Sequence, residues 1–361
     1  MADPLRDRAD ACPGVFATHD AADGGLARVR LPGGRITAAQ LRVLAGCAED
    51  LGDGAAHLTS RGNVQLRGLD RDDHRLITRL SGAGLLPEPT HERVRNFLAS
   101  PLSGLSGGLV DVTPLVAELD AAVCARPELA GLPGRFLFAV DDGRGDVSGE
   151  DPDVCWRAVS ASAGTLLLGG RDTGTRVPVT AAVATLVEIA RRFLALRGSA
   201  WRVRELTDPG VLTDAPPTGG TGITTSTAEP CPLGEFERND GGRGMVVAPV
   251  LGELSAEQLR KVAELAEWAV VTPWRSLVLP TARDVSGSGL VTDPAAPAAR
   301  ISACIGRPGC AKARADVRAQ ARRRLSGPLA DEVRVHYSGC ERGCGKPRRP
   351  CVEVVAGKEE R

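Results

Sequence analysis

Four cysteines near the C-terminus carry the strongest chemical signal in this chain. Cys304 and Cys310 have five residues between them, and Cys340 and Cys344 have three. They lie in ACIGRPGC and SGCERGCGKP, where glycine and proline let the backbone curl tightly. Four thiolates gathered from two loops match an iron–sulfur cube, one cysteine to each iron. Structural zinc is the main alternative, but zinc sites favour pairs spaced by two to four residues. Two disulfides, or thiols serving as small core residues, make a third reading. The spacing favours the cluster.

A second group is cationic. In LTSRGNVQLRGL, strand alternation puts Arg61, Asn63, Gln65 and Arg67 on one face, opposite Val64 and Leu66. Arg93 and Arg95 in HERVRNF, and Arg135 in LPGRF, add cations where strands begin. Guanidinium forks pair with carboxylates and keep their charge, so such a set around one cavity would suit a ligand bearing many carboxylates. A solvated strand face is the plainer alternative, and each arginine taken singly is more often a surface residue. Lys312, Arg314, Arg318, Arg322, Arg323 and Arg324 follow Cys310. They form either a solvated helix face or a docking patch for an acidic electron carrier. The histidines His19, His57, His74, His91 and His336 form no recognisable ligand pair. No G-x-G-x-x-G turn and no Walker loop provides a nucleotide site.

Composition limits the partners. Lys+Arg and Asp+Glu are equal at 45 each and aromatic residues are 3%, which argues against nucleic-acid binding by charge or by base stacking. The opening MADPLRDRADAC is charged and lacks the apolar run of an export signal. The most apolar long segment, residues 177–196, carries Glu188, Arg191 and Arg192, so a soluble helix is expected there and no membrane span. Ten cysteines without an export signal point to reduced thiols in the cytoplasm, where metal ligation outranks disulfides.

The elements that position these residues occur twice. GGRITAAQLRVLAGCAED has Thr37 as a helix N-cap and an apolar stripe of Ile36, Leu41, Leu44 and Ala48. LGELSAEQLRKVAELAEW has Ser255 as cap, with Leu254, Leu259, Val262 and Ala266 in the same places. Each helix follows a β-like run (residues 26–31 and 245–250) and precedes another (HLTSRGNVQLRGL and VVTPWRSLVLP) that starts from a Thr and carries an Arg. A duplicated domain is the reading, with chance likeness of two amphipathic helices as the alternative. Each half continues with strand, helix and strand. The cysteines then occupy, in the second half, the two loops that carry residues 96–100 and 141–143 in the first. The Pro-, Gly- and Thr-rich stretch 209–244 reads as a linker.

With these residues assembled, the chain resembles the nitrite and sulfite reductase superfamily, whose signature is C-x5-C followed by C-x3-C. ACIGRPGC and SGCERGCGKP match closely, LTSRGNVQL resembles the family's Thr-x-Arg-x-x-x-Gln strand, and the likeness runs from residue 14 to about 355. The resemblance implies an α+β fold duplicated about a pseudo-twofold axis. Residues 1–85 and 245–290 would be ferredoxin-like half-domains. Residues 90–208 and 298–361 would be α/β modules, the first binding substrate and the second carrying a 4Fe-4S cluster on Cys304, Cys310, Cys340 and Cys344. In reductases the last of these cysteines also bridges to a siroheme iron.

Within the superfamily, LTSRGNVQLRGL, RNFLASPLSGL and LPGRFLFAVDDG resemble the precorrin-3B synthase branch. Reductases hold their anion with two lysines in LP-x-K-F-K, where this chain has Arg135 and Leu137. A desolvated dianion needs every counter-charge available, so loss of the second cation weakens such a site. The branch implies O2-dependent hydroxylation of precorrin-3A with γ-lactone formation, in cobalamin biosynthesis. It also implies a siroheme-type or mononuclear non-heme iron near Cys344, and a separate ferredoxin or NAD(P)H-linked reductase as electron donor. Arg61, Gln65, Arg67, Arg93, Arg95, Asn96 and Arg135 would clamp the acetate and propionate groups. Longer relatives have a C-terminal segment expected to be reduced here beyond Cys351. A siroheme-dependent sulfite or nitrite reductase is the alternative, followed by a non-enzymatic tetrapyrrole-binding metalloprotein.

Overall fold

In the computed structural model, which describes residues 12–213, 231–325, 327 and 333–357, the chain runs twice through a similar order of strands and helices, with additional elements in the first half. The first half has β1 (His19–Ala21), β2 (Gly24–Val29), β3 (Arg35–Thr37), α1 (Ala38–Leu51), β4 (Ala55–Leu58), β5 (Val64–Leu69) and α2 (Arg75–Gly82). A module follows with β6 (Phe97–Ala99), α3 (Thr113–Cys124), β7 (Phe138–Asp141), β8 (Val154–Ala158), β9 (Ala163–Leu168), β10 (Arg171–Pro178) and α4 (Ala182–Leu196). The second half repeats the pattern with β11 (Gly234–Glu237), β12 (Arg243–Val247), β13 (Glu253–Ser255), α5 (Ala256–Leu265), β14 (Trp268–Val271) and β15 (Leu277–Leu279). Its module has α6 (Pro297–Arg300), β16 (Ile301–Ala303), α7 (Val317–Arg324), β17 (Val335–Ser338) and β18 (Val352–Val355).

The two helices read as duplicates are built alike. Thr37 caps α1 by accepting from the Gln40 amide while Gln40 returns a bond to the Thr37 amide, and Ser255 and Gln258 do the same for α5. Each such cap is worth about 1 kcal/mol. Both apolar stripes are buried, and the helices pack in one core with the Arg42 guanidinium donating to Ala263 O at 3.0 Å.

The halves are not two separate sheets. One sheet has the order β1-β2-β5-β4-β13 and the other β11-β12-β15-β14-β3, so each half lends a strand to its partner. Leu254 of β13 pairs with Ala56, and Ile36 of β3 pairs with Ala269. A boundary between residues 1–85 and 245–290 therefore cuts both sheets. The linker reading also needs correction. Residues 214–230 lie outside the described residues, but Gly234–Glu237 is a strand paired with β12. Its alternation brought Phe236 onto a small apolar cluster with Val246 and Val278.

In the first module β6, β7 and β8 run parallel, with α3 and α4 covering one face around Trp156, Phe138 and Phe193. Period-two alternation sends Phe138 and Val140 toward those helices, and Leu137 and Ala139 to the other face. The second module is a parallel sheet, β16-β17-β18, with Ala321 of α7 packed on Ile301 and Ala303. Loops at the carboxyl ends of adjacent parallel strands form a crevice. Here those loops carry the cysteines. No helix among the described residues is long and apolar enough to cross a membrane.

Candidate metal centre and ligand cavity

Cys304 directly follows β16, and Cys340 comes two residues after β17 ends. Because the strands are parallel neighbours, residues far apart in sequence meet at one sheet end. Gly339 N donates to Cys304 Sγ at 3.1 Å, an amide–sulfur bond of the kind that tunes clusters. A Cβ on Gly339 would stand 2.7 Å from the Ala313 Cβ, and one on Gly306 would stand 2.8 Å from Val317 Cγ2, so glycine lets these loops sit close to the segment before α7 and to its first residue. Burial pushes the Cys344 thiol up, as do the neighbouring Cys304, Cys340 and Cys310 groups, so the other three thiols all act on Cys344. Bound iron reverses that shift by favouring thiolates. The four donors, two loops and amide–sulfur bond fit a 4Fe-4S cluster. Cys47 and Cys155 lie in the cores of α1 and β8, and Cys124 is raised to about 11 by burial and then Asp120.

Beside the cysteines opens a cavity in two lobes. The first, about 490 Å³, is lined by Cys304, Cys310 and Cys344 and by Arg28, Gln65, Arg67, Lys312, Arg318 and Arg342. The second, about 360 Å³, has Arg61, Leu137, Arg202, Trp274, Arg334, Lys346, Arg348 and Arg349. Ser60, Leu251, Gly252, Arg275 and Gly345 line both, so the lobes are continuous. Cations outnumber the carboxylates Asp20, Glu150 and Asp151 on these walls. Desolvation, and next the Arg202 cation, push the Arg61 guanidinium down to about 10. It stays charged at neutral pH, in surroundings that favour an anionic ligand.

Three of the expected contacts reach this cavity. Gln65 and Arg67 point into the first lobe from β5, and Arg61 enters the second from the turn before it. Arg67 is already engaged: it grips Asp23 through two bonds of 2.9 Å and donates to Gly309 O at 2.8 Å, tying β5 to the Cys310 loop. Gln65 Oε1, with its amide oriented by this contact, accepts from Arg28 Nη2 at 2.6 Å.

The other four take different places. Arg95 is held by Asp120 of α3 through bonds of 2.7 and 2.6 Å and lines a separate cavity of about 270 Å³. Asn96 is fully buried, accepting from Arg30 Nε at 3.0 Å and donating to Gly134 O at 3.0 Å. Arg93 lines neither lobe; its carbonyl accepts from Arg30 and Asn96. Arg135 sits exposed in a turn before β7, its guanidinium 4.9 Å from the Trp201 ring centroid. Alternation does not extend across that turn, so Arg135 and Leu137 do not share a face. Asn63 also leaves the polar face: its Oδ1 accepts from Leu31 N at 2.9 Å inside the fold. Sequence reasoning missed Arg30, 1% exposed, which follows β2 and donates to Asn96 Oδ1 and Arg93 O as well as to Pro13 O and Arg28 O. Burial and then Arg28 push it down to about 9. The LARVR alternation of Arg28 and Arg30 was the available signal.

The first module carries the counterpart loops without cysteine. Ser100 follows β6 as Cys304 follows β16, and its Oγ donates to Asp146 Oδ1 at 2.7 Å. Asp141, Asp142 and Asp146 hold carboxylate oxygens within 4.8 Å of one another after β7. Arg144 pairs with Asp142 at 2.8 Å, and Asp141 accepts backbone amides from Gly143, Gly145 and Ser148.

Residues 19–80, which span β1 to α2, match the family model of the nitrite/sulfite reductase ferredoxin-like half domain. A precorrin-3B synthase from Sinorhizobium sp is 28% identical, over 96% of this chain and 81% of its own length. A ferredoxin–nitrite reductase of Synechococcus elongatus is 27% identical, over 92% of this chain and 76% of its own. Sulfite reductase [ferredoxin] 2 of Mycolicibacterium paratuberculosis is 27% identical, over 88% and 67%. Among solved structures, the Mycobacterium tuberculosis NirA protein superposes with a TM-score of 0.73 at 22% identity, covering 89% of this chain and 69% of that one. The half-domain match falls on the strands that form one cavity wall, and the full-length relatives extend the likeness across the cysteine loops that form the other. The chain is thus similar over most of its length to nitrite and sulfite reductases and to a precorrin-3B synthase, and it shares the fold of the NirA protein.

Proposed function

We propose that this protein is an oxidoreductase whose substrate is a polycarboxylate tetrapyrrole, and that its reaction is the O2-dependent hydroxylation of precorrin-3A with γ-lactone formation, the precorrin-3B step of cobalamin biosynthesis. The observation that carries this choice over sulfite or nitrite reduction is the wall at residues 135–137. Leu137, 3% exposed, lines the second lobe, and Arg135 is turned away onto Trp201. Neither position offers the cation that the reductase motif places there. A small dianion would meet an apolar side chain, which is unfavourable without a counter-charge, whereas a macrocycle face packs well on leucine.

The chain's own residues bind and orient. Arg61 and the Arg28–Gln65 pair would receive acetate and propionate groups, and Arg67 fixes the Cys310 loop beside them. A 4Fe-4S cluster on Cys304, Cys310, Cys340 and Cys344 supplies single electrons when bound, and the superfamily couples such a cluster to siroheme. One atom of O2 would enter the substrate and the other leave as water, which requires two electrons and two protons. The electrons would come from a separate donor, with ferredoxin favoured by the names of the reductase relatives. The decisive assay supplies the reconstituted protein with precorrin-3A, O2 and a reducing system. Oxygen uptake that depends on precorrin-3A and yields a hydroxylated lactone is expected. Rapid reduction of sulfite or nitrite, with no oxygen uptake on precorrin-3A, overturns the reading in favour of a siroheme reductase.

A further inference from the structure

Two turns occupy matching places in the two halves. Residues 59–63 join β4 to β5, and residues 272–276 join β14 to β15. Thr59 N donates to Asn63 O and Thr272 N to Ser276 O, both at 2.9 Å. Thr59 Oγ1 accepts from the amides of Arg61 and Asn63 at 3.3 and 3.2 Å, and Thr272 Oγ1 from those of Trp274 and Ser276, both at 3.2 Å. The fourth residue closes each turn by donating its amide to the threonine carbonyl, Gly62 at 3.3 Å and Arg275 at 3.1 Å. Its backbone is left-handed in both, with φ of 64° and 60°. Glycine occupies that conformation freely, and a side chain there is strained. The first half has the glycine; the second has an arginine.

Such strain persists where the side chain does something the fold alone does not need. The Arg275 side chain runs between two glycines that leave it room. A Cβ on Gly252 would stand 2.7 Å from its Cδ, and one on Gly345 would stand 2.6 Å from its Nη2. Nη2 donates to Gly345 O at 3.0 Å, one residue beyond Cys344. The residue lines both lobes of the cavity. Among the described residues it has no carboxylate partner, and burial followed by the Arg318 cation disfavours its charge.

We propose that Arg275 is the cation that receives a substrate carboxylate where the two lobes meet, and that it holds the Cys344 loop against the bound tetrapyrrole. The proposal rests on the reading of the cavity as a tetrapyrrole site. The turn strain is then offset on binding by a charge-assisted pair in a desolvated place.

Arg275→Gly copies the turn of the first half and provides the test. The cluster-loaded protein is titrated with uroporphyrin I, a stable tetrapyrrole bearing eight carboxylates, while melting temperature and iron content are measured on the same samples. The variant is expected to keep its iron and melt no lower than wild type, while its affinity falls about ten- to a hundredfold, the range for losing a hydrogen bond to a charged group. Arg275→Lys, which keeps the charge and the strain, should regain part of the affinity without any rise in melting temperature. Unchanged affinity in Arg275→Gly overturns the role of Arg275, and so does a loss of iron or a lower melting temperature, which would mark it as a structural residue. Failure of the wild-type protein to bind uroporphyrin overturns the cavity reading itself, and the proposal falls with it.

Discussion

Cys304, Cys340 and Cys310 all act on Cys344, whereas Cys47, Cys124 and Cys155 sit apart from them beside Arg79, Asp120 and Asp141. Serine at any of the four should remove the brown colour and most of the iron, and serine at Cys47, Cys124 or Cys155 should leave both intact. Full iron retained by two of the four variants would sink the assignment. The arginines divide as sharply. Arg61→Ala should weaken tetrapyrrole binding by about 1–3 kcal/mol, the range for a charge-assisted hydrogen bond. Arg135→Ala should leave affinity unchanged, because its guanidinium lies over Trp201 in an exposed turn. Equal losses in both variants, measured by titration, would return Arg135 to the ligand.

Strand order places corresponding loops of the two modules at matching sheet ends, although they hold different residues. Both loops sit at the ends of parallel strands that meet a helix, but the first uses carboxylates and a serine where the second uses thiols. Burial, and next Asp141, push Asp146 up to about 7. The unfolded chain ionises this carboxyl near pH 4, so from there to about pH 7 the fold holds a proton that the unfolded chain has released. Its contribution therefore declines as pH rises through that window. Asp146→Asn keeps an oxygen to accept from Ser100 Oγ and Val147 N, both of which use Oδ1. The variant's gain in melting temperature over wild type should widen from pH 5 to pH 7.5. A gap of constant size across that range would show that Asp146 titrates as an ordinary carboxyl.

At the scale of the molecule, exchange of β3 and β13 makes each half-domain incomplete without the other. Either half alone would expose a sheet edge and the apolar stripe that α1 or α5 buries against its twin. Residues 1–220 and 221–361, expressed together as two chains, should co-purify and bind iron, while each expressed alone should be insoluble. A soluble, folded 221–361 fragment would show that the exchanged strand is dispensable. The same arrangement gives the cavity its two walls, one of arginines and Gln65 from the first half and one of cysteines from the second.

Local signals determined much of this. The spacing of Cys304, Cys310, Cys340 and Cys344 marked the proposed donor set, which the fold brings to one sheet end, and the matching caps at Thr37 and Ser255 exposed the duplication, because a metal's ligand count and a helix's first turn are both short-range demands. Alternation placed Gln65 and Arg67 on one face because they share a strand. It failed at Asn63, which stands beside a turn where period two has no meaning. Only the tertiary structure showed that Arg95 is consumed by Asp120 and Asn96 by the buried Arg30, since a partner 25 or 66 residues away leaves no trace in a local pattern. The strand exchange, and the left-handed Arg275 where its twin has Gly62, were likewise decided by how the halves pack. Backbone conformation and partner choice at such places are set by the assembled surroundings, which no window of sequence contains.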